Sequence, residues 1–183
     1  MNTGRISVRY AKALFDLAIE TKVAKEVYEH SYAVSKTIDP NSDFYYVLHN
    51  PVILPSEKEI ILTKVLGGKV HPMLTSFIAL MVRKRRESYI VNALLVFQKI
   101  YREHAGLVNV VIETPAELGD DTKNRILEFV KNKFNKTPEL EIRLVPELIG
   151  GFIVEVEGLL IDLSVSGQLA RVRKALVQNQ RVL

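Results

Sequence analysis

The sequence predicts an α+β protein, with an N-terminal six-helix bundle followed by a small C-terminal α/β domain with a mixed sheet. Apolar residues recur at helical spacing up to Gly106, and short runs alternating every second residue replace them beyond it. The length, 183 residues, suits one large or two small domains. The change of period sets the expected domains at residues 1–105 and 106–183.

In the first half, Tyr10, Ala13, Leu14, Leu17 and Ala18 follow the rhythm of one helical face, and Val8, Ala11, Phe15 and Ile19 form a second row beside it. Apolar residues thus cover more than half of this helix. A second helix is expected from Ala24 to Ile38, with Val27, Ala33, Val34 and Ile38 inward, broken by Asp39-Pro40-Asn41-Ser42. A short segment, Phe44 to His49, ends at Asn50-Pro51. Pro55-Ser56-Glu57-Lys58-Glu59 opens the next helix, with Ser56 as its cap and Glu59 completing a capping box. Gly67-Gly68 is a natural stop. His71-Pro72 begins a helix over Met73–Lys84 that is apolar almost all round, through Met73, Leu74, Phe77, Ile78, Leu80, Met81 and Val82. The basic cluster Arg83-Lys84-Arg85-Arg86 ends it. The last helix, Ser88–His104, carries Ile90, Ala93, Leu94, Phe97 and Tyr101 on one face.

In the second half Val108, Val110 and Ile112 alternate as a strand does. Leu118-Gly119-Asp120-Asp121 starts a helix with acid at its N-terminus and Lys131 and Lys133 at its C-terminus, as the macrodipole prefers. Leu140, Ile142 and Leu144 alternate next, then Phe152, Val154 and Val156. Glu157-Gly158 reads as a tight hairpin turn into Leu159–Leu163. A final helix places Val165, Leu169, Val172 and Leu176 on one stripe.

Composition narrows the function classes. Hydrophobic residues make up 48% and charged residues 25%, which suits a packed core better than disorder. A net charge of +4 permits an acidic or amphipathic partner without marking a nucleic-acid arm. The absence of cysteine excludes disulfides and thiolate zinc sites. The N-terminus lacks the apolar core of a signal peptide. The longest apolar run, Phe77–Val82, is too short to span a bilayer, so membrane association is expected only through a partner.

No catalytic, cofactor or metal residue is assigned. His30, His49, His71 and His104 are scattered, without metal-ligand spacing. Gly67-Gly68-Lys69 lacks the upstream glycine of a phosphate loop, and Val70 stands where a magnesium-binding hydroxyl belongs. Gly150-Gly151 lacks the third glycine of a dinucleotide fingerprint and is read as close backbone approach or unusual φ. Asp162-Leu163-Ser164 has no base to complete a nucleophile, so Ser164 is read as the cap of the last helix, with Asp162 beside its positive end. The clusters Arg83–Arg86 and Arg171, Arg173, Lys174 are unspecific. An RNA-binding regulator would need a continuous basic face, and only Tyr89 supplies an aromatic near the first cluster. What remains is surplus apolar surface on Val8–Ile19 and Met73–Val82. Either both helices are central in the bundle, or they line a groove for an amphipathic partner helix. Composition does not decide between these.

The order and spacing of several motifs resemble the delta subunit family of bacterial F-type ATP synthases, whose mitochondrial counterpart is the oligomycin sensitivity-conferring protein. They are Arg9-Tyr10-Ala11-Lys12-Ala13-Leu14-Phe15, Asn50-Pro51 with Lys58, Phe77–Arg86 with Ile90, Glu113-Thr114-Pro115, Leu148-Ile149-Gly150-Gly151-Phe152 and Ile161-Asp162-Leu163-Ser164-Val165. Departures from the family pattern are Leu163 and Ser166, where glycine and arginine are frequent, Pro115 in place of alanine, and Lys84-Arg85 in place of Asn-Gly. The resemblance implies a non-catalytic stator subunit at the cytoplasmic face of the bacterial cell membrane, serving ATP synthesis by linking the catalytic head to the peripheral stalk. It implies a groove between the first and fifth helices for the N-terminal helix of an alpha subunit, carried by Tyr10, Ala13, Phe77, Leu80 and Arg86. It also implies that the second domain, with Gly150, Gly151, Asp162 and Ser164 as its structural motif, meets the C-terminal end of the stalk b subunits. No cofactor and no nucleic acid are expected.

Overall fold

A computed structural model describes residues 3–38, 43–66 and 70–179. The turn Asp39-Pro40-Asn41-Ser42 and the stop at Gly67-Gly68, with Lys69, lie outside the described residues. The described residues form eight α-helices, a short 3₁₀ helix and a four-stranded mixed sheet. The chain divides into two compact units, Met1–Tyr101 and Arg102–Leu183. The helix over Ile90–Ala105 continues past Tyr101, so the division falls about one helical turn before Gly106.

The first unit contains α1 (Thr3–Glu20), α2 (Ala24–Thr37), α3 (Asp43–His49), α4 (Pro55–Leu66), α5 (Pro72–Arg83) and most of α6 (Ile90–Ala105), with the 3₁₀ helix Glu87–Tyr89 before α6. One apolar cluster joins them: Leu14 of α1, Val27 and Val34 of α2, Leu62 of α4, Leu74 and Ile78 of α5, and Leu94 and Phe97 of α6. The stripe of α1 that enters this core is Ser7, Ala11, Leu14 and Ala18, at steps of four, three and four. Its small residues allow close approach. Neither row read from the sequence enters the core whole: Leu14 and Ala18 of the first and Ala11 of the second are buried, whereas Ala13 and Leu17 are exposed. In α2, Val27 and Val34 are buried as their spacing predicts, as is Ile38 just after the helix, but Ala33 is exposed, and Tyr28 and Ser31 occupy the inner face instead. Tyr28 stacks on Tyr101 of α6 at 4.4 Å between centroids.

The start of α4 also differs from expectation. Pro55 takes the first helical position, where its missing N–H is no loss. Only the acidic half of a capping box appears, two residues upstream, because Leu54 has no side-chain acceptor. Glu57, not Glu59, reaches back to the N-terminal amide, that of Leu54, at 3.2 Å. Glu59 instead accepts from Arg83 of α5 at 2.7 Å.

In the second unit β1 (Leu107–Thr114) leads through α7 (Asp120–Phe134) to β2 (Thr137–Leu144), and β3 (Ile153–Val156) and β4 (Leu159–Asp162) precede α8 (Val165–Asn179). The strand order is β2-β1-β3-β4. β1 pairs with β2 in parallel and with β3 antiparallel. A parallel pair needs a crossover, and α7 supplies it. β3 and β4 form a hairpin whose two-residue turn, Glu157-Gly158, has positive φ at both positions, as such turns require. Val108, Val110 and Ile112 of β1 pack with Val130 of α7 and Val154 and Val156 of β3.

α5 ends in a Schellman arrangement. Arg86 N donates to Met81 O and Arg85 N to Val82 O, both at 2.9 Å, with Arg85 in the left-handed region at φ 53°. A β-carbon there costs about 1–2 kcal/mol. Arg85→Gly is expected to raise the stability of the first unit by about 0.5–1 kcal/mol. Urea unfolding followed by a probe in the first unit checks this, and a lower midpoint would contradict the strain at Arg85.

Candidate partner-binding surfaces

On α1 one flank of the buried stripe carries apolar side chains that are only partly covered. Tyr10 is half-buried, Ala13 is exposed, and Leu17 is 47% exposed. On α5 the buried stripe is Leu74, Phe77, Ile78, Met81 and Val82, while Leu80 is 43% exposed. The two helices meet through the edge of one ring against another, with Tyr10 and Phe77 centroids 6.4 Å apart at 69°. Arg86, just beyond α5, donates from Nη1 to the Tyr10 hydroxyl at 2.8 Å, and its guanidinium lies 5.4 Å from the Tyr10 ring centroid. That combines a hydrogen bond with a cation–π contact.

Of the five residues expected on this surface, the structure brings Tyr10, Phe77 and Arg86 into direct contact. Ala13 lies one turn along α1 from Tyr10, and Leu80 one turn along α5 from Phe77. Phe77 is only 8% exposed and belongs to the core, so it can serve as floor but not as free surface. The remaining exposed face of α1 is charged, with Arg5, Arg9, Lys12 and Asp16 beside Val8 and Ala13 around a shallow depression. Leu17 was outside the expected set although its helical spacing places it on the Tyr10–Ala13 stripe.

The second unit holds a groove of about 650 Å³ between α7 and the β3–β4 hairpin, and the sequence reading missed it. Ile126, Phe129 and Phe134 of α7 face Phe152, Ile161 and Leu163 across it, with Arg125 and Lys133 among the lining residues. Phe129 is 55% exposed, and Lys133 Nζ lies 5.5 Å from its ring centroid. Apolar residues at 126, 129, 130 and 134 form an ordinary core-facing helical stripe, so spacing alone does not show that part of it stays uncovered. α8 is similarly uncovered: Val165, Leu169 and Val172 are all at least 40% exposed.

The Gly150-Gly151 pair lies against the junction between β4 and α8. Val165 N donates to Gly150 O, and Leu163 N to Phe152 O, each at 3.0 Å. Gly151 has φ 75°, and a β-carbon there would stand 2.4 Å from Leu163 O, so only glycine fits. A β-carbon on Gly150 would meet only Val165 Cγ2 at 3.3 Å. At the start of α8, Ser164 Oγ accepts from Gly167 N at 3.0 Å. Asp162 Oδ1 in turn accepts from Ser164 Oγ at 2.6 Å and Ser164 N at 2.9 Å. These two bonds, that from the side chain first, hold the Asp162 carboxyl below its ordinary value, and the charge of Arg171 adds to them.

Among the described residues, no group of three or more His, Asp and Glu is gathered to hold a metal ion. No described helix is long and apolar enough to cross a membrane.

A family model described as ATP synthase delta (OSCP) subunit matches residues 6–176. The chain belongs to this family. It is 35% identical over 177 residues to the ATP synthase subunit delta of Carboxydothermus hydrogenoformans, covering 96% of this chain and 99% of that one. The subunit delta of Symbiobacterium thermophilum is 32% identical over 175 residues, covering 96% and 94%. A chain of the Toxoplasma gondii mitochondrial ATP synthase hexamer shares the fold, with a TM-score of 0.70 at 20% identity over 93% of this chain and 97% of that one. As a delta (OSCP) family member, the chain is a structural and non-catalytic subunit of an ATP synthase, a complex of ATP synthesis and ion transport.

Two outcomes follow from the β4–α8 junction. Gly151→Ala is expected to destabilise the second unit by about 1–3 kcal/mol, and Gly150→Ala by much less. Thermal unfolding of the two variants checks this, and equal losses would contradict it. Because the folded Asp162 carboxyl is lowered, its stabilisation of the α8 cap is full above the ordinary carboxylate value and fades as pH falls through the lowered one. Helical circular dichroism should therefore lose an acid-induced step in Asp162→Asn, and an unchanged acid profile would count against the cap.

Proposed function

We propose that this subunit is the stator link of its ATP synthase, with a six-helix N-terminal bundle gripping the N-terminal helix of an alpha subunit and the second domain gripping the C-terminal end of the stalk b subunits. The observation that carries this reading is the uncovered apolar stripe on α1 and α5 around the Tyr10–Phe77–Arg86 contact. An amphipathic helix lying along it would cover Ala13, Leu17 and Leu80, with Tyr10 and Phe77 as the floor and Arg86 as a polar end stop. The groove beside α7 and the stripe of α8 supply the second grip. Their neighbours Arg125, Lys133, Arg171 and Arg173 suit an acidic partner helix.

The task is mechanical. Torque from the rotor tends to turn the catalytic head, and a stator must resist it by binding two bodies at once. Four buried apolar anchors contribute roughly 6–12 kcal/mol gross. Association and ordering cost roughly 4–15 kcal/mol, so a single groove holds firmly only if it is preorganised. A second grip raises the effective concentration of the first. In this reading the chain sits at the cytoplasmic face of the bacterial cell membrane and meets the lipid only through the complex.

An RNA-binding role is disfavoured by what the first basic cluster does. Arg83 is paired with Glu59 and Arg86 with Tyr10, so the run is divided between two contacts and is not one open cationic face.

Leu80→Asp places a charge on the proposed helix surface at a half-exposed position. It is expected to weaken the N-terminal peptide of the cognate alpha subunit at least about tenfold, with little change in unfolding temperature. Titration calorimetry with that peptide measures it, and unchanged affinity removes Leu80 from the surface. For the full reading, a pull-down from membranes should bring alpha, beta and b subunits with this chain.

A further inference from the structure

Lys58 is a cation almost wholly removed from water. Its side chain retains 4% exposure, and that of its partner Glu87 retains 11%. Lys58 Nζ donates to Glu87 Oε1 at 2.9 Å and to the carbonyl oxygen of Leu48, in the last turn of α3. The three residues come from different elements: α3, α4 and the 3₁₀ turn before α6. A buried ion pair of this kind is weak evidence for stability, since its desolvation offsets much of its attraction. Its placement is more informative. Glu87 directly follows Arg86, the residue that closes over Tyr10.

The α5–α6 turn is therefore fastened on both sides of Arg86. Upstream, the Arg86 amide is bonded to Met81 O through a left-handed residue that the chain adopts at a cost. Downstream, Glu87 is bonded to Lys58, and the Tyr89 amide to Arg86 O at 3.1 Å. A guanidinium on a long side chain reaches one hydroxyl reproducibly only if its backbone is fixed. We infer that Lys58 and Glu87 are positioning residues that hold Arg86 on Tyr10 and so preorganise the α1–α5 surface for its partner helix. The part of this inference that concerns the partner rests on the proposed function, whereas the fastening of the turn does not.

Single substitutions would leave one buried charge unpaired and endanger the fold. The double variant K58M/E87M removes both charges and keeps apolar bulk. Amide hydrogen exchange of the full chain is the first readout. At Arg85, Arg86 and Tyr89 exchange is expected to quicken at least about tenfold in K58M/E87M, with the α1 and α6 core amides unchanged. Equal exchange at those three amides in parent and variant would overturn the inference.

Calorimetry with the N-terminal peptide of the cognate alpha subunit is the second readout. K58M/E87M is expected to bind about tenfold more weakly than the parent, the worth of one charge-assisted hydrogen bond. In an Arg86→Ala background the same double change should cost nothing further, because the residue it positions is gone. An equal loss in both backgrounds would mean a general structural role and would overturn the positioning inference. A parent that fails to bind the peptide would refute the proposed helix surface, and the exchange result would still decide the fastening of the turn.

Discussion

A helix in a small bundle can bury one stripe, and α1 carries apolar residues enough for two. Packing settles which stripe goes inside. Ala11 and Ala18 let α1 approach its neighbours closely, and Leu14 fills the space between them. Val8, Leu17 and Ile19 are then left at 38–47% exposure. Leu80 of α5 is in the same position, because Leu74, Ile78, Met81 and Val82 complete the inner face without it. Isolated exposed leucines are ordinary. Here Leu17 and Leu80 lie on two helices already joined through Tyr10 and Phe77, so that surface has a structured floor, whereas Val8 and Ile19 lie on the other flank of α1.

How much of this is legible in the sequence depends on how local the deciding physics is. The hairpin turn at Glu157-Gly158 can be read from Gly158, which tolerates the positive φ a two-residue turn needs, while Glu157 takes positive φ without such a signal. The mixed sheet follows from alternation together with one crossover helix. The choice between Ala11 and Ala13 cannot be read, since both are equally apolar and only the neighbouring helices select one. The box at α4 is misplaced because Pro55 and Ser56 both mark helix starts, and proline's fixed φ takes precedence at the first position. At the α1–α5 surface, spacing shows the excess of apolar residues but not that Phe77 lies in the core while Leu80 does not. The groove beside α7 escapes because Ile126, Phe129, Val130 and Phe134 read as one core-facing stripe, and only the packing against β3 and β4 shows that Phe129 stays 55% exposed.

The two units share an economy of scale. A chain of about one hundred residues or fewer buries a modest share of its surface, so each unit leaves apolar side chains outside. α8 shows this most plainly. Its described contacts cluster in its first turns, at Val165, Gly167, Gln168 and Arg171, and its apolar stripe faces outward. A fifteen-residue helix without tertiary packing is marginal in water. The capping bonds from Asp162 and Ser164 fix where it begins, but they do not cover it. For such a helix a bound partner supplies a stabilising term that the domain lacks.

The α5–α6 turn shows how strain is balanced when a residue must be aimed. A glycine at position 85 would relieve the left-handed backbone. An arginine there adds a cation at the C-terminal end of α5, beside Arg83 and Lys84, where the helix dipole favours positive charge by about 0.3–1 kcal/mol. That offsets part of the strain and none of the need for rigidity. The rigidity comes from bonds that do not depend on the side chain of residue 85: the two helix-closing amides, the Lys58–Glu87 pair and the bond from Arg86 to Tyr10. Each of them constrains the same few backbone atoms from a different direction. The consequence is that residue 85 can vary without losing the aim of residue 86, whereas Lys58, more than twenty residues away in sequence, cannot.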